Sequence, residues 1–238
     1  MAQASLTLKG CFKAHQKRGF SLAMAPGFFR KYAYCGALTA IEEEGCYSVN
    51  AATGASAGAI VAGVLGSGKR PLEMKESLFA LRREDMWDPS FFFIFGLLVG
   101  FKLRQTLEIN LSPVKHMGDA KVKIAVTAFD LLRFRTRILT EGSLARNVAA
   151  SCAVPIMFQP VFINALPHYD GGIYDVAGMY GLEKVHDPAD DGLVVNLMAS
   201  RKQVKHSVLP PAIKNSGATI LTIVLENVPH SELRNNLP

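Results

Sequence analysis

The first forty-one residues contain no aspartate or glutamate. They carry Lys9, Lys13, Lys17, Arg18, Arg30 and Lys31, whereas the remaining 197 residues balance twenty basic against twenty acidic side chains. The formal net charge of +6 therefore arises at one end of the chain. Such an edge suits either an anionic surface or a solvated tail. It lacks aromatic interleaving and no binding motif follows it, so nucleic acid is not expected as a partner.

Cysteine is scarce. Cys11, Cys35, Cys46 and Cys152 form no C-x-x-C and no metal-ligand spacing, which argues against a disulfide framework and against a metal centre. Reduced thiols and a cytoplasmic location, with peripheral membrane association, are the expectation. No apolar h-region follows the early lysines, so no secretory signal is expected. Long apolar runs are also missing. The longest, residues 91–101, has eleven residues and cannot span a bilayer core of ~30 Å. Two readings of that run stand: a buried core segment, or an apolar lip that meets lipid or roofs an acyl-binding cleft. No internal repeat, low-complexity run or domain linker is present.

What the chain does have is a folded composition, 49% hydrophobic and 19% charged over 238 residues. Residues 1–18 read as a loose or edge segment. A strand is expected at 20–25, a helix at 31–44, a second strand before residue 53 and a small, apolar, buried helix at 57–65. Strand–helix–strand–helix order is the signature of a parallel sheet covered on both faces. Further helices are expected at 71–83, 105–111 and 144–150, the last capped by Ser143. Strands are expected at 121–129 and 133–139, the latter an edge with Arg133, Arg135 and Arg137 on one face. Residues 193–197 and 219–224 read as the last core strands.

Between the second strand and the buried helix lies Gly54-Ala55-Ser56-Ala57-Gly58, a G-x-S-x-G pattern. A sharp strand-to-helix turn strains the central residue and lifts its hydroxyl out of the sheet, and the flanking glycines keep side chains out of the corner. The first helical N–H groups face the same space, where developing negative charge would be stabilised. The plainer reading makes Ser56 a helix cap.

A nucleophilic serine needs a base. His15, His116, His168, His186, His206 and His230 are candidates, and Asp175 with His206 could complete a serine–acid–histidine order. Nothing around any histidine singles it out. Asp170 opens Asp170-Gly171-Gly172 directly after an extended stretch. Two glycines allow a sharp turn that frees the carboxylate to enter a cleft, where it could take a serine proton without an imidazole. The plainer reading is an aspartate that bonds its own turn.

These stretches together resemble the patatin-like phospholipases, lipid acyl hydrolases with a serine–aspartate dyad. Gly54-Ala55-Ser56-Ala57-Gly58 matches the nucleophile elbow. Val126-Thr127-Ala128-Phe129-Asp130 and Leu139-Thr140-Glu141-Gly142-Ser143-Leu144 resemble the central strand pair. Ala150-Ser151-Cys152-Ala153-Val154-Pro155-Ile156-Met157-Phe158-Gln159-Pro160-Val161 is similar to the family's ASCAIPGVFPPV. Asp170-Gly171-Gly172 matches the dyad motif. Gly36-Ala37-Leu38-Thr39-Ala40-Ile41-Glu42-Glu43 resembles the first helix.

The resemblance implies a three-layer α/β sandwich with a mainly parallel central sheet and helices on both faces, spanning residues 20–238 after a basic extension at 1–19. It implies that Ser56 attacks an acyl ester of a phospholipid or other acyl lipid at a transiently contacted membrane surface, and that Asp170 takes the serine proton. No metal or organic cofactor is implied. The oxyanion donors would be Gly27, Phe28 and Ala57, with Gly54, Gly58, Arg30, Gly171 and Gly172 supporting the motifs.

One stretch departs from the pattern. Where the family has three glycines, this chain has Pro26-Gly27-Phe28 ahead of Phe29-Arg30-Lys31. Proline has no N–H, and Phe28 restricts the loop backbone. Losing one oxyanion donor costs ~10²–10³ in rate. A silent or very slow lipid-binding protein is therefore the alternative expectation.

Overall fold

The computed structural model describes residues 8–15, 18–79, 84–91, 95–189 and 192–226. The elements run α1 (Leu8–His15), β1 (Phe20–Met24), α2 (Lys31–Glu43), β2 (Val49–Gly54), α3 (Ala57–Gly66), α4 (Pro71–Phe79), α5 (Phe101–Asn110), β3 (Lys123–Asp130), β4 (Arg135–Leu139), α6 (Leu144–Ser151), β5 (Val161–Ile163), β6 (Leu166–Asp170), α7 (Leu182–Val185), β7 (Leu193–Met198), α8 (Arg201–His206), α9 (Pro211–Asn215) and β8 (Thr219–Val224).

β1 is buried at every position and is the middle one of the sheet's parallel strands. It pairs in parallel with β2 on one side and β7 on the other; β2 continues in parallel to β3, and β7 to β8. A strand buried on both faces alternates between two cores. Leu22 and Met24 join the larger one, with Leu38, Ile60, Leu65, Leu107 and Val148 from the helices. Ala23 and Ala25 join a smaller one with Ala51, Ala125, Leu182 and Ile213. Helices thus cover both faces of a mostly parallel sheet, the expected three-layer architecture. The alanines of the second face let the chain pass close over the sheet. A Cβ at Gly178 would fall 1.8 Å from the Met24 carbonyl oxygen, and one at Gly181 1.9 Å from Thr53 Oγ1.

β3 determines where the site lies. Val126 pairs with Gly54 of β2 and with Leu139 of β4; Ala128 pairs with Arg137 of β4 and with Asp170 of β6. A strand has two edges. With β4 on one, β2 and β6 must share the other in succession. The parallel β2 ends at Gly54 and the antiparallel β6 ends at Asp170, two positions apart along β3. The elbow and the Asp-Gly-Gly turn meet there.

Some expectations are corrected. Residues 8–15 form a helix rather than a loose edge, and Phe12 is buried edge-on against Phe20 at 5.4 Å. β8 is an edge strand with no fully buried position, because no strand among the described residues covers its outer side. α4 is defined to Phe79, and residues 80–83 of the expected helix lie outside the described residues. In the apolar run, Phe91, Phe95, Leu97, Val99 and Phe101 are exposed, and Leu98 is buried; residues 92–94 lie outside the described residues. No helix among the described residues is long and apolar enough to cross a membrane.

Candidate active site

Ser56 occupies the corner between β2 and α3 with φ 53° and ψ −117°, a region that side chains rarely adopt. The corner is this tight because three backbones converge. A Cβ on Gly54 would sit 2.3 Å from the Gly58 carbonyl carbon, and one on Gly58 would sit 2.1 Å from the Met24 carbonyl oxygen. Glycine is therefore required at both positions. Ser56 stands at the N-cap of α3, yet its side chain makes no capping hydrogen bond. The capping reading does not describe its hydroxyl.

Both backbone groups of Ser56 are held from the end of α6. The Ser56 N–H donates to Ser151 Oγ at 2.9 Å, and Cys152 Sγ donates to the Ser56 carbonyl at 3.3 Å. Ser151 is fully buried. Cys35, Cys46 and Cys152 are free, buried thiols. Burial, reinforced by the nearby Asp170 charge, pushes the Cys152 thiol up and keeps it neutral. Lys31, buried at the start of α2, has its ammonium pushed down to about 8 by that burial.

Asp170 ends β6, buried, and its N–H donates to the Ala153 carbonyl at 2.8 Å. Its Oδ1 accepts the Gly172 N–H at 2.7 Å, so it does bond its own turn. The Ser56 side chain also acts on this carboxyl, favouring its ionised form. Burial pushes the carboxyl up to about 6, against the lowering effect of Ser56 and of the Gly172 N–H. A Cβ on Gly171 would strike the Thr127 carbonyl oxygen at 2.1 Å, and one on Gly172 would lie 2.6 Å from Pro26 Cβ. The two glycines thus press the dyad turn against β3 on one side and against the loop after β1 on the other.

That loop is Pro26 to Arg30. Arg30 N–H closes a turn onto the Gly27 carbonyl, and Arg30 Nη1 reaches the Leu225 carbonyl at 2.8 Å, tying the loop to the end of β8. Phe28 is exposed and has no positive φ, so a phenylalanine there costs the loop no backbone strain. Among the described residues, the Gly27 and Phe28 N–H groups meet no protein acceptor. Ala57 is the first residue of α3, and its N–H has no acceptor one turn back.

The structure adds a residue whose contact with the Pro26 loop no local pattern marks. Gln203 Nε2 donates to the Pro26 carbonyl at 2.7 Å across 177 positions. Its Oε1 accepts the Ala199 and Ser200 N–H groups at 2.7 and 3.2 Å, completing the capping box of α8. One side chain therefore starts a helix and holds the Pro26 loop.

Among the described residues, no histidine bonds Ser56. His168 is buried, with Nδ1 at 2.8 Å from the Leu166 carbonyl, and His186 Nδ1 lies 2.9 Å from Ser21 Oγ. His116 and His206 are exposed, and His230 lies outside the described residues. Asp175 is a buried structural acid. It accepts from Thr127 Oγ1 and the Met179 N–H, both at 3.0 Å, and burial pushes it up to about 6.

Residues 22–179 match the family model of patatin-like phospholipases. The chain belongs to the patatin-like phospholipase family. It is similar to uncharacterized NTE family proteins of Mycobacterium bovis and Mycobacterium tuberculosis, 29% identical over 182 residues, covering 76% of this chain and 49% of each relative. The chain therefore spans about half the length of the curated relatives it matches. Its fold is similar to that of VipD from Legionella pneumophila, with a TM-score of 0.58 at 15% identity over 77% of this chain and 50% of VipD. That likeness concerns the fold.

Proposed function

We propose that this patatin-like protein is a lipid acyl hydrolase that cleaves fatty-acyl esters through Ser56 and Asp170. One observation carries the reading: a serine strained at an elbow, with no capping bond, beside a buried carboxyl whose ionised form it favours. Asp170 takes the hydroxyl proton as Ser56 Oγ bonds to the ester carbonyl carbon. The carbonyl oxygen becomes an oxyanion, and N–H groups of Gly27, Phe28 and Ala57 supply its donors. The intermediate then breaks its bond to the alcohol oxygen. Asp170 returns the proton to that leaving oxygen, and an acyl ester on Ser56 remains. A water deprotonated by Asp170 attacks this ester. The second tetrahedral intermediate expels Ser56 Oγ, which recovers its proton, and releases the fatty acid.

A second reading has one specific feature in its favour. Pro26 contributes no N–H to a loop that in the family begins with glycine. On that reading the protein binds acyl lipid with little or no turnover.

Both are tested by phospholipid hydrolysis with purified protein. Ser56→Ala and Asp170→Ala are each expected to lower kcat by ~10³-fold or more while the protein stays folded. Full activity in either variant would refute the dyad. An inactive parent that gains activity on Pro26→Gly and Phe28→Gly substitution would establish the second reading.

A further inference from the structure

Beside the site, an apolar segment is anchored by its backbone and turned outward by its side chains. Ser90 N–H donates to the Leu97 carbonyl at 2.8 Å, and Leu97 and Leu98 donate to the Ile156 and Met157 carbonyls at 2.9 and 2.8 Å. The Asp88 carboxylate accepts the Gly100 and Lys102 N–H groups at 3.0 and 2.9 Å, so its charge is engaged within the loop. Tyr169, the residue before Asp170, donates its hydroxyl to the Phe95 carbonyl at 3.3 Å. These anchors tie the segment to the chain that follows α6 and to β6, which ends at Asp170.

The side chains do the opposite of what a core segment does. Phe91 is 98% exposed, Ile156 80%, Phe95 59% and Leu97 52%. Ile156 holds φ 72°, a conformation that a β-branched residue adopts only under strain and that glycine would take freely. The backbone is strained at a position where the side chain gains no burial within the chain.

We propose that Phe91, Phe95, Leu97 and Ile156 form a docking rim that enters a lipid bilayer surface and sets the Ser56–Asp170 site against it. The proposal rests on the lipid-hydrolase reading. A side chain as exposed as Phe91 projects from the surface instead of lining a groove, which suits a fluid hydrocarbon phase that needs no matching shape. Cations flank the rim as they do on interfacial segments: Lys102 is exposed, and the Arg104 guanidinium lies 5.4 Å over the Phe101 ring. Arg104 also meets Glu108 at 3.5 Å, so of these two cations Lys102 is the one we assign to the headgroups.

The test uses the Ser56→Ala chain, which leaves vesicles intact, and sedimentation with phosphatidylcholine–phosphatidylglycerol vesicles. Ile156→Gly relieves the strained φ and should fold at least as well as the parent. Phe91→Ser with Phe95→Ser is the second variant. Each is expected to lower the vesicle partition coefficient about tenfold, the effect of withdrawing one or two large apolar side chains. Trp87, the single tryptophan, should shift to shorter emission wavelength on vesicle binding in the parent and less in the variants. With Ser56 restored, both variants should keep the parent's turnover of a dispersed short-chain ester and lose turnover on vesicles.

Variants that partition like the parent would overturn the proposal, as would a parent that ignores vesicles. A parent dimer dispersed by these substitutions would also overturn it, making a second copy the occupant. Partitioning needs no turnover, so vesicle binding without ester hydrolysis would refute the hydrolase reading and leave the docking rim standing.

Discussion

The Ser56 amide donates to Ser151 Oγ at 2.9 Å across 95 positions of sequence, while Cys152, the next residue, donates to the Ser56 carbonyl. The end of one helix thus fixes both backbone groups of the candidate nucleophile. Ser151→Ala would leave that N–H without its acceptor in a buried corner. A stability loss of ~1–3 kcal/mol is expected. Because the elbow would also lose its aim, kcat should fall on the order of tenfold or more, with KM little changed. Thermal denaturation and steady-state kinetics check both parts.

Strain at Ser56 makes a second, opposite expectation. Its φ of 53° and ψ of −117° suit glycine better than serine. Ser56→Gly should abolish hydrolysis and stabilise the fold by about 1–3 kcal/mol. Gly58→Ala should do the reverse and destabilise by at least ~3 kcal/mol, because its Cβ would meet the Met24 carbonyl oxygen at 2.1 Å. Urea denaturation of the three proteins measures the differences.

Asp170 predicts two pH dependences of opposite sense. Its carboxyl is pushed up to about 6 in the folded chain, chiefly by burial, from the 3.8 of an ordinary aspartate. The folded state therefore binds the proton more tightly than the unfolded state. The resulting stability is full below about pH 4 and is lost as pH rises through about 6, a span worth roughly 3 kcal/mol. Asp175 titrates in the same range. The difference in stability between parent and Asp170→Asn isolates Asp170, and the variant's relative advantage should grow from pH 4 to pH 7. Activity runs the other way. The base must be ionised, so kcat/KM should rise with pH through about 6.

Gln203 offers a test of the Pro26 loop. Gln203→Glu keeps an acceptor for the Ala199 and Ser200 N–H groups and loses the donor to the Pro26 carbonyl. A positioning role predicts lower kcat, on the order of tenfold, with the thermal midpoint close to the parent's. A purely structural role predicts that stability falls and kcat does not.

Much of this arrangement was legible in the sequence, for local reasons. The elbow and the Asp-Gly-Gly turn announce themselves because close backbone approach leaves glycine as the only residue that fits at positions 54, 58 and 171. The alternation of β1 and the uniformly small, apolar α3 likewise encode burial directly. What could not be read depends on distant parts of the chain. Nothing near Gln203 marks its contact with Pro26. Ser151 looks like one more small residue in an apolar stretch. The run around residue 95 reads first as core and second as lip, and its exposed Phe91, Phe95 and Leu97, on a backbone anchored to Ile156, Met157 and Tyr169, favour the second. Residues 8–15 look like a solvated tail because Lys9 and Lys13 lie in an early stretch with no acidic partner, yet Phe12 is buried against Phe20.

The most direct measurement is labelling of the purified, folded protein with a fluorophosphonate probe, followed by mapping of the adduct. An activated serine backed by a working oxyanion pocket predicts a single adduct on Ser56, absent from Ser56→Ala and strongly slowed in Asp170→Asn. A folded protein that takes up no probe, or one labelled equally well without Ser56, would contradict the account.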